Sequence, residues 1–194
     1  MIVLASKSAS RQAMLAAAGV AFRAVPADLD ERAVEAGLGD ARPGAVALAL
    51  AEAKALAVSR AQAGVLVLGS DSLVTVEGRR FDKPADREDA ASHLRFFSGK
   101  AMQLHSAAAL ARDGAVLFAH GDMATLSVRE LSQAFIAAYL EEEWPDVGNC
   151  VGVFRIEGRG VQLFEAIAGD RFTVLGMPLL PVLGALREFG ELPR

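Results

Sequence analysis

The chain has little of the chemistry that disulfides, zinc sites or membrane spans require. Among its 194 residues there are one cysteine, one tryptophan, one tyrosine and three histidines. The single Cys150 cannot form an internal disulfide and provides no CxxC pair for zinc or redox chemistry. The histidines, His93, His105 and His120, lack the spacing typical of zinc ligands. No stretch approaches the roughly 18 uninterrupted apolar residues of a membrane span, so no transmembrane helix is predicted.

The charge balance is mildly acidic. Twenty Lys and Arg residues stand against 24 Asp and Glu residues, for a formal net charge of −4. This balance argues against a duplex nucleic-acid partner, which needs a cationic face, but it permits a local cationic pocket for a small phosphorylated ligand. The apolar stretch after Met1 ends at residue 5 and is too short for a signal peptide. We therefore expect a cytoplasmic protein with no membrane partner.

Apolar runs and helical periods alternate along the chain, which predicts a mixed α/β fold. Hydrophobic residues make up 53% of the sequence, which excludes a disordered chain, and no linker divides it, so one domain over residues 1–194 is predicted. Strands are predicted over residues 2–5, 21–25, 65–68, 73–76, 102–110, 115–126, 151–156 and 161–167. Helices are predicted between Ser8 and Gly19 and over residues 43–61, 86–97, 131–139 and 181–188, with one helical turn at most in the acidic segment 28–40.

Polar residues cluster at three places where predicted strands end, and two of them lie in the first half of the chain. Ser6-Lys7-Ser8-Ala9-Ser10-Arg11 precedes a helix. Its hydroxyls, cations and backbone N–H groups can bind a phosphate, although an ordinary N-cap with solvated charges gives the same pattern. Gly69-Ser70-Asp71-Ser72 interrupts an apolar run. Its aspartate is either a base or metal ligand at a strand end, or part of a turn or bulge.

The third cluster, Arg155-Ile156-Glu157-Gly158-Arg159-Gly160, follows a predicted strand. A carboxylate at Glu157 can accept two hydrogen bonds from a guanine-like edge, and the glycines would let a planar ring approach the backbone. A polar hairpin turn is the alternative interpretation. Two isolated lysines have equally ordinary explanations, since Lys83 is in a loop and Lys54, on an apolar helix face, can extend its ammonium group to solvent.

Together these segments resemble the Maf-like nucleoside triphosphate pyrophosphatases. The matching elements, in order along the chain, are Ser6 to Gln12, Asp30-Glu31, Lys54-Ala55, Gly69-Ser70-Asp71, Asp82-Lys83-Pro84, Glu157 to Gly160, Phe164-Glu165 and Val174 to Pro178. Each element is weak alone, but their order and spacing agree over residues 2 to 188, which makes the resemblance specific.

The resemblance implies a fold, a reaction and a cofactor. The family fold is α/β, with a curved mixed β-sheet flanked by helices in an elongated, two-lobed Maf/ITPase-like structure with a central cleft. Its members hydrolyse a nucleoside triphosphate to the monophosphate and pyrophosphate with a divalent cation, Mg²⁺ or Mn²⁺, and clear modified nucleotides. A homodimer is left open as the oligomeric state.

Site residues follow from the same resemblance. Asp71 would be the catalytic proton acceptor, and Glu31 with Asp71 would hold the metal. Four residues would bind the triphosphate: Ser6, Arg11, Lys54 and Lys83. Charge that develops on the phosphate oxygens and on the departing pyrophosphate explains why cations and a metal are needed there.

The resemblance implies that Ser10, Ser72 and Glu157 determine which nucleotide base is preferred. Ser70 before the aspartate and Glu157 before a glycine resemble the branch that acts on 7-methyl-GTP, rather than the branch that acts on dTTP and UTP. Ser10 and Ser72 depart from that branch, which has Trp and Gln at these positions. Gln12 replaces a second phosphate-binding Arg, a loss worth about 1.5–3 kcal/mol.

Two further functions therefore stay open. One is a dTTP/UTP pyrophosphatase of the same family, which Glu157 disfavours. The other is a non-catalytic nucleotide-binding regulator of cell division, which the changes at Ser10, Gln12 and Ser72 favour. An enzyme is favoured over a regulator by the presence together of Asp71, Lys54, Lys83, Arg11 and Glu31, because binding alone does not need a base.

Overall fold

Strands and helices alternate along the chain, as the sequence predicts. The computed structural model describes residues 1–193. The elements are β1 Ile2–Leu4, α1 Ala9–Ala17, β2 Phe22–Ala24, α2 Glu31–Ala36, α3 Pro43–Ser59, β3 Val67–Val76, β4 Arg79–Phe81, α4 Arg87–Phe97, β5 Ala101–Arg112, β6 Ala115–Val128, α5 Gln133–Glu143, β7 Phe164–Ala168, α6 Arg171–Val174 and α7 Leu179–Glu188. Two 3₁₀ helices, Asp146–Asn149 and Arg159–Leu163, lie between α5 and β7.

The strands form one mixed sheet in the order β2-β1-β3-β5-β6-β7, with β4 paired to β3 outside this path. Strand β1 runs parallel to both β2 and β3, whereas β4 is antiparallel to β3 and β7 is antiparallel to β6. The mixed sheet flanked by helices confirms the predicted fold class. The curvature of the sheet, the two-lobed shape and the central cleft stay predictions.

The chain divides into two compact units. Unit 1 contains Met1–Ser72, His105–Asp122 and the chain from Asp170 onward, and unit 2 contains Leu73–Leu104 and Met123–Gly169. The single domain over residues 1–194 stays a prediction. Among residues 1–193, no helix combines the length and the apolar character needed to cross a membrane.

The core of unit 1 is built on the alternation of side chains along β1. Ile2 and Leu4 are buried on one face, in a cluster with apolar residues of β3, β5 and α7. Val3 and Ala5 are buried on the opposite face, against Val58 of α3. Because successive strand residues point to opposite faces, both faces of this parallel part of the sheet are covered. Only four residues separate the end of β1 at Leu4 from the first turn of α1 at Ala9, so the helix begins close to the end of the strand.

Unit 2 has its own apolar contacts. Helix α4 packs against α5. Phe81 meets the ring of Phe97 edge-on at 4.7 Å, and Phe154 meets Phe164 edge-on at 4.8 Å. Such perpendicular aromatic pairs add to the free energy of burying the rings.

The structure corrects the predicted break in the strand at residues 69–72. Residues Val67 to Val76 form one continuous strand, β3. The prediction was wrong because a polar run in an apolar stretch usually marks a turn, whereas each polar side chain here has a partner within the fold. Glycine is required at position 69, since a Cβ there would lie 2.2 Å from the carbonyl oxygen of Ala51 and 2.6 Å from the backbone nitrogen of Ala55.

The strand and turn predicted around Glu157 are also wrong. Residues 151–156 form turns and irregular backbone, and residues 161–163 belong to a 3₁₀ helix, so only β7 remains of the predicted hairpin. Gly160 allows the loop to close on itself, because a Cβ there would lie 2.5 Å from the carbonyl oxygen of Arg155. The glycine therefore accommodates the chain's own backbone.

Helices α2, α3, α5 and α7 differ from their predicted bounds, and α3 ends two residues early, at Ser59. The acidic segment holds the six-residue helix α2, longer than the single turn expected, because the Asp30 side chain caps it by accepting a hydrogen bond from the Ala33 N–H. Helix α5 begins after its cap Ser132 and continues to Glu143, and α7 begins at Leu179.

Substituting Gly69 tests the contact between β3 and α3. We expect Gly69→Ala to lower the free energy of unfolding by about 3 kcal/mol, since the new methyl group would overlap helix backbone that cannot move aside cheaply. Urea denaturation measures this change. The matched control is Gly121→Ala in β6, where a Cβ meets nothing within 4 Å, so a change below about 0.5 kcal/mol is expected. If Gly69→Ala unfolds in urea with the midpoint and slope of the wild-type protein, the close contact between β3 and α3 is contradicted.

Candidate functional site

Strand β3 presents two kinds of chemistry on its two faces. Gly69 lies against α3, and Asp71, two residues on, points to Lys54 of the same helix. Ser70 and Ser72 point the other way, and both donate a hydrogen bond to the carbonyl oxygen of Gly176. This separation follows from the two-residue period of a strand and requires β3 to be continuous through the motif.

The acidic face consists of Glu31, Lys54 and Asp71. The Nζ atom of Lys54 lies 2.5 Å from Oδ1 of Asp71 and 2.9 Å from Oε1 of Glu31. The side chains of Lys54 and Asp71 are 12% and 11% exposed, whereas that of Glu31 is 48% exposed. A buried carboxylate needs a partner to remain charged, and Lys54 is that partner for Asp71. Lys54, which the sequence places on an apolar helix face, is therefore ion-paired with two carboxylates.

The cationic face is built around Arg11 in the first turns of α1. Its Nε donates to the Gly176 carbonyl oxygen at 3.0 Å, its Nη2 to Ser72 Oγ at 3.0 Å and its Nη1 to Ser6 Oγ at 3.4 Å. Ser8 caps the helix by accepting a hydrogen bond from the Arg11 N–H. The ordinary N-cap and the cluster of cation and hydroxyl groups, two alternatives at the level of sequence, are both present.

Burial lowers the pKa of the Arg11 guanidinium, while the negative charges of Asp71 and Glu31 oppose this shift. Arginine stays protonated at any ordinary pH, so the desolvated cation favours an anionic ligand. A phosphate group would supply that charge.

The other polar residues of the α1 segment hold the local backbone. Ser10 Oγ donates to the Leu175 carbonyl oxygen at 2.9 Å, and Gln12 Nε2 donates to the Lys7 carbonyl oxygen at 3.3 Å. Ser6 is buried and accepts from the Ser8 N–H at 3.2 Å. The structure places seven of the predicted residues in unit 1, around the neighbouring strands β1 and β3 and helices α1 to α3: Ser6, Ser10, Arg11, Glu31, Lys54, Asp71 and Ser72.

Unit 2 carries the other two predicted residues, Lys83 and Glu157. Both are exposed and lie outside the helices and strands. Burial, together with the nearby charge of Glu157, raises the pKa of the Cys150 thiol, and Arg155 and Lys83 act in the opposite direction. The charges of Lys83 and Glu157 therefore act in opposite directions on the same thiol of unit 2.

Sequence reasoning missed several residues of the cationic face. Ser106 of β5 is 1% exposed and contacts Ser72 Oγ at 3.0 Å. Gly176 accepts the hydrogen bond from Arg11 Nε, and its carbonyl has no side-chain signature. The sequence signal that could have identified Ser106 is its position inside the apolar run of β5, since a buried hydroxyl requires a hydrogen-bond partner. The motif at Val174 to Pro178 marked the position of Gly176 but not its contacts.

The donor set suits a small divalent cation that also binds substrate. Glu31 and Asp71 offer two carboxylates, and within residues 1–193 no group of three or more His, Cys, Asp or Glu side chains could enclose a metal. Mg²⁺ is commonly held by one or two carboxylates together with substrate phosphates and water. The residues therefore fit such a cation, provided that the Lys54 ammonium group leaves its position between the two carboxylates.

Comparisons with known proteins identify the family of this chain. The sequence profile of the Maf-like protein family matches residues 1–189. A protein named nucleoside triphosphate pyrophosphatase from Rhodopseudomonas palustris (strain HaA2) is 47% identical over 187 residues, which cover 96% of this chain and 93% of that protein. A protein named 7-methyl-GTP pyrophosphatase from Rhizobium etli is 48% identical over 193 residues, which cover 98% and 97%. This chain belongs to the Maf-like protein family.

A solved structure is also similar over most of its length. The nucleoside-triphosphatase, or dITP/XTP pyrophosphatase, of Mycobacterium abscessus covers 99% of this chain and 97% of its own, with a TM-score of 0.42 and 16% identity. Similarity at that level is too distant to support a conclusion about fold or activity.

A double-mutant cycle tests the buried ion pair. We expect Lys54→Met and Asp71→Asn to show a coupling free energy of about 2 kcal/mol in urea denaturation, because each single change leaves the other group desolvated. The control cycle uses Arg155 and Asp146, an ion pair at 2.7 Å whose side chains are 39% and 67% exposed. Its coupling should stay below about 1 kcal/mol. Additive effects of Lys54→Met and Asp71→Asn would contradict the pairing.

Proposed function

We propose that this protein hydrolyses a nucleoside triphosphate to the nucleoside monophosphate and pyrophosphate. The observation that carries the proposal is the arrangement on β3, with a buried Asp71 on one face and hydroxyls holding Arg11 on the other. A triphosphate needs fixed cations, and its hydrolysis needs a proton acceptor. The names of relatives that are nearly half identical support the same reaction.

In the proposed reaction, a water oxygen bonds to the α-phosphorus and the bond from that phosphorus to the bridging oxygen breaks. The electron pair leaves with pyrophosphate, and the proton of the water passes to the carboxylate of Asp71. Ser6, Arg11 and Lys54 bind the phosphate oxygens, and Lys83 joins them as a fourth binding residue. Because the Arg11 guanidinium is held in advance by Ser6, Ser72 and the Gly176 carbonyl, its stabilisation of the developing charge requires little rearrangement.

We propose that the reaction depends on a divalent cation, Mg²⁺ or Mn²⁺, held by Glu31 and Asp71. Such a cation would neutralise phosphate charge and lower the pKa of bound water. Lys54 would then exchange its two carboxylate partners for phosphate oxygens. The same group thus keeps Asp71 paired when no substrate is bound and contributes charge to the triphosphate when it is.

For the base, we propose a preference for 7-methyl-GTP, in keeping with the clearance of modified nucleotides. Glu157 is exposed in its loop, and a carboxylate suits guanine, which presents adjacent N1–H and amino donors. The relative from Rhizobium etli is named for the same nucleotide. The alternative substrates are dTTP and UTP. The alternative function is that of a regulator that binds nucleotide without hydrolysing it. We also propose a cytoplasmic location, where free nucleotides occur, and leave the homodimer as a prediction.

A product-resolved panel tests the reaction. Purified protein with Mg²⁺ or Mn²⁺ is given 7-methyl-GTP, GTP, dTTP, UTP or CTP, and both products are quantified. For the wild-type protein we expect equal amounts of pyrophosphate and monophosphate. In Asp71→Asn we expect kcat to fall at least a hundredfold, on the order expected for removing a general base. The variant should still show a cooperative thermal unfolding transition. Orthophosphate with nucleoside diphosphate would contradict the reaction. Binding without turnover would select the regulator.

Substituting Glu157 tests the base preference. We expect Glu157→Gln to lower kcat/KM for 7-methyl-GTP by about ten- to a hundredfold, the loss typical of a charge-assisted hydrogen bond, while UTP hydrolysis changes little. Glu165→Gln is the control, since Glu165 is an exposed carboxylate of the same unit. An equal effect of Glu157→Gln on all nucleotides would show that Glu157 does not read the base.

A further inference from the structure

Buried polar side chains of unit 1 concentrate around Arg11. Ser70, Ser106 and Thr173 are each at most 1% exposed, and Ser6 is 8% exposed. Burying a hydroxyl without a partner is unfavourable, so a group of them in one place implies that their hydrogen bonds are made to one another or to backbone.

A chain of hydrogen bonds connects Arg11 with the segment before α7. Arg11 Nη2 donates to Ser72 Oγ, and Ser72 Oγ lies 3.0 Å from Ser106 Oγ. Ser106 Oγ donates to the Thr173 carbonyl oxygen at 2.8 Å. The Thr173 hydroxyl in turn donates to Asp122 Oδ2 at 2.6 Å. The guanidinium is thereby linked to β3, β5, β6 and α6 of unit 1.

The Gly176 carbonyl is the second anchor. Its oxygen lies 3.0 Å from Arg11 Nε, 3.2 Å from Ser70 Oγ and 2.9 Å from Ser72 Oγ, and Ser72 shares its one hydrogen between this oxygen and Ser106 Oγ. Gly176 has a φ of 103°, a conformation that favours glycine, and a Cβ there would lie 3.2 Å from Ser72 Oγ. Glycine at this position therefore lets the carbonyl oxygen meet three donors.

The hydroxyl of Ser72 has little capacity left for a ligand. It carries one hydrogen and two lone pairs. One lone pair accepts from Arg11 Nη2. Because Ser106 gives its own hydrogen to Thr173, the hydrogen of Ser72 goes to Ser106 or to Gly176. With its hydrogen and one of its two lone pairs engaged, Ser72 is poorly suited to reading a nucleotide base.

We propose that Ser72 and Ser106, with the Gly176 carbonyl, are positioning residues that hold the Arg11 guanidinium in place for the triphosphate, and that Ser72 does not select the base. The proposal deepens the proposed function and rests on it for the identity of the ligand. It replaces the base-selecting role expected for Ser72 from the family resemblance. Substituting Ser106 gives the more direct test of positioning, because Ser106 is buried and its hydroxyl contacts Ser72 and Thr173.

The test compares four variants. Ser72→Ala and Ser106→Ala remove the two hydroxyls, and Ser72→Thr restores one at the same position. The matched control is Ser59→Ala, because Ser59 is 0% exposed and hydrogen-bonded to Leu56 and Gly114. It shows what loss of a buried hydroxyl does when Arg11 is not involved.

The first readout is the rate at which the Arg11 Nε hydrogen exchanges with water, measured by ¹⁵N NMR on ligand-free protein. The resonance is assigned by its loss in Arg11→Lys. We expect exchange to become about tenfold faster in Ser72→Ala and Ser106→Ala and to stay within twofold of wild type in Ser72→Thr and Ser59→Ala. A wild-type rate in Ser72→Ala and Ser106→Ala would overturn the proposal. This readout needs no turnover, so it decides on positioning even if the wild-type protein hydrolyses nothing and the proposed function fails.

The second readout is steady-state kinetics on the nucleotide panel. In Ser72→Ala and Ser106→Ala we expect KM to rise by about tenfold and by the same factor for every nucleotide, with kcat changed less than threefold. If Ser72 selects the base instead, Ser72→Ala would reorder the nucleotides while Ser106→Ala would keep wild-type constants. That result would overturn the proposal and leave the hydrolysis itself established.

Discussion

The contact between strand β3 and helix α3 at Gly69 is the constraint on which the site depends. A side chain at this position would overlap helix backbone, with a Cβ only 2.2 Å from the carbonyl oxygen of Ala51. Because the strand lies so close, Lys54 on the helix reaches Asp71 two residues further along β3. The two-residue period of the strand then places Ser70 and Ser72 on the opposite face, where Arg11 and the Gly176 carbonyl lie.

The chemistry of the site follows from charges that are buried and paired before any ligand arrives. Lys54 lies between Glu31 and Asp71, and Arg11 is held by two serines and a carbonyl oxygen. The direct hydrogen-bond partners of Arg11 are neutral, so none of them pairs with its positive charge. Lys54, by contrast, has the anionic partners Glu31 and Asp71. In the proposed reaction the two cations would contribute differently, Arg11 as a fixed group and Lys54 as a group that moves between a carboxylate and a phosphate.

Much of the fold could be predicted from the sequence, and the failures have physical reasons. Helix α3 begins at Pro43 as expected, since proline suits a first helical turn. The break predicted in β3 was wrong because local pattern cannot show that Asp71 and Ser72 find partners in α3 and α1. For the same reason the local pattern alone predicted a solvent-directed Lys54, and only the family resemblance assigned it to the site. The hairpin around Glu157 failed because Gly160 closes a loop on Arg155 backbone, a contact with no sequence signature. The residues named from the family resemblance were placed by motif, whereas Ser106 and the Gly176 carbonyl depend on tertiary contacts.

Hydrolysis in ¹⁸O-labelled water tests the central claim most directly, namely that water held by this site attacks the α-phosphorus. A single turnover of the best nucleotide of the panel is followed by mass spectrometry of both products. The account predicts one ¹⁸O atom in the nucleoside monophosphate and none in pyrophosphate. Label in the pyrophosphate would mean attack at the β-phosphorus and would contradict the roles given to Asp71 and Arg11.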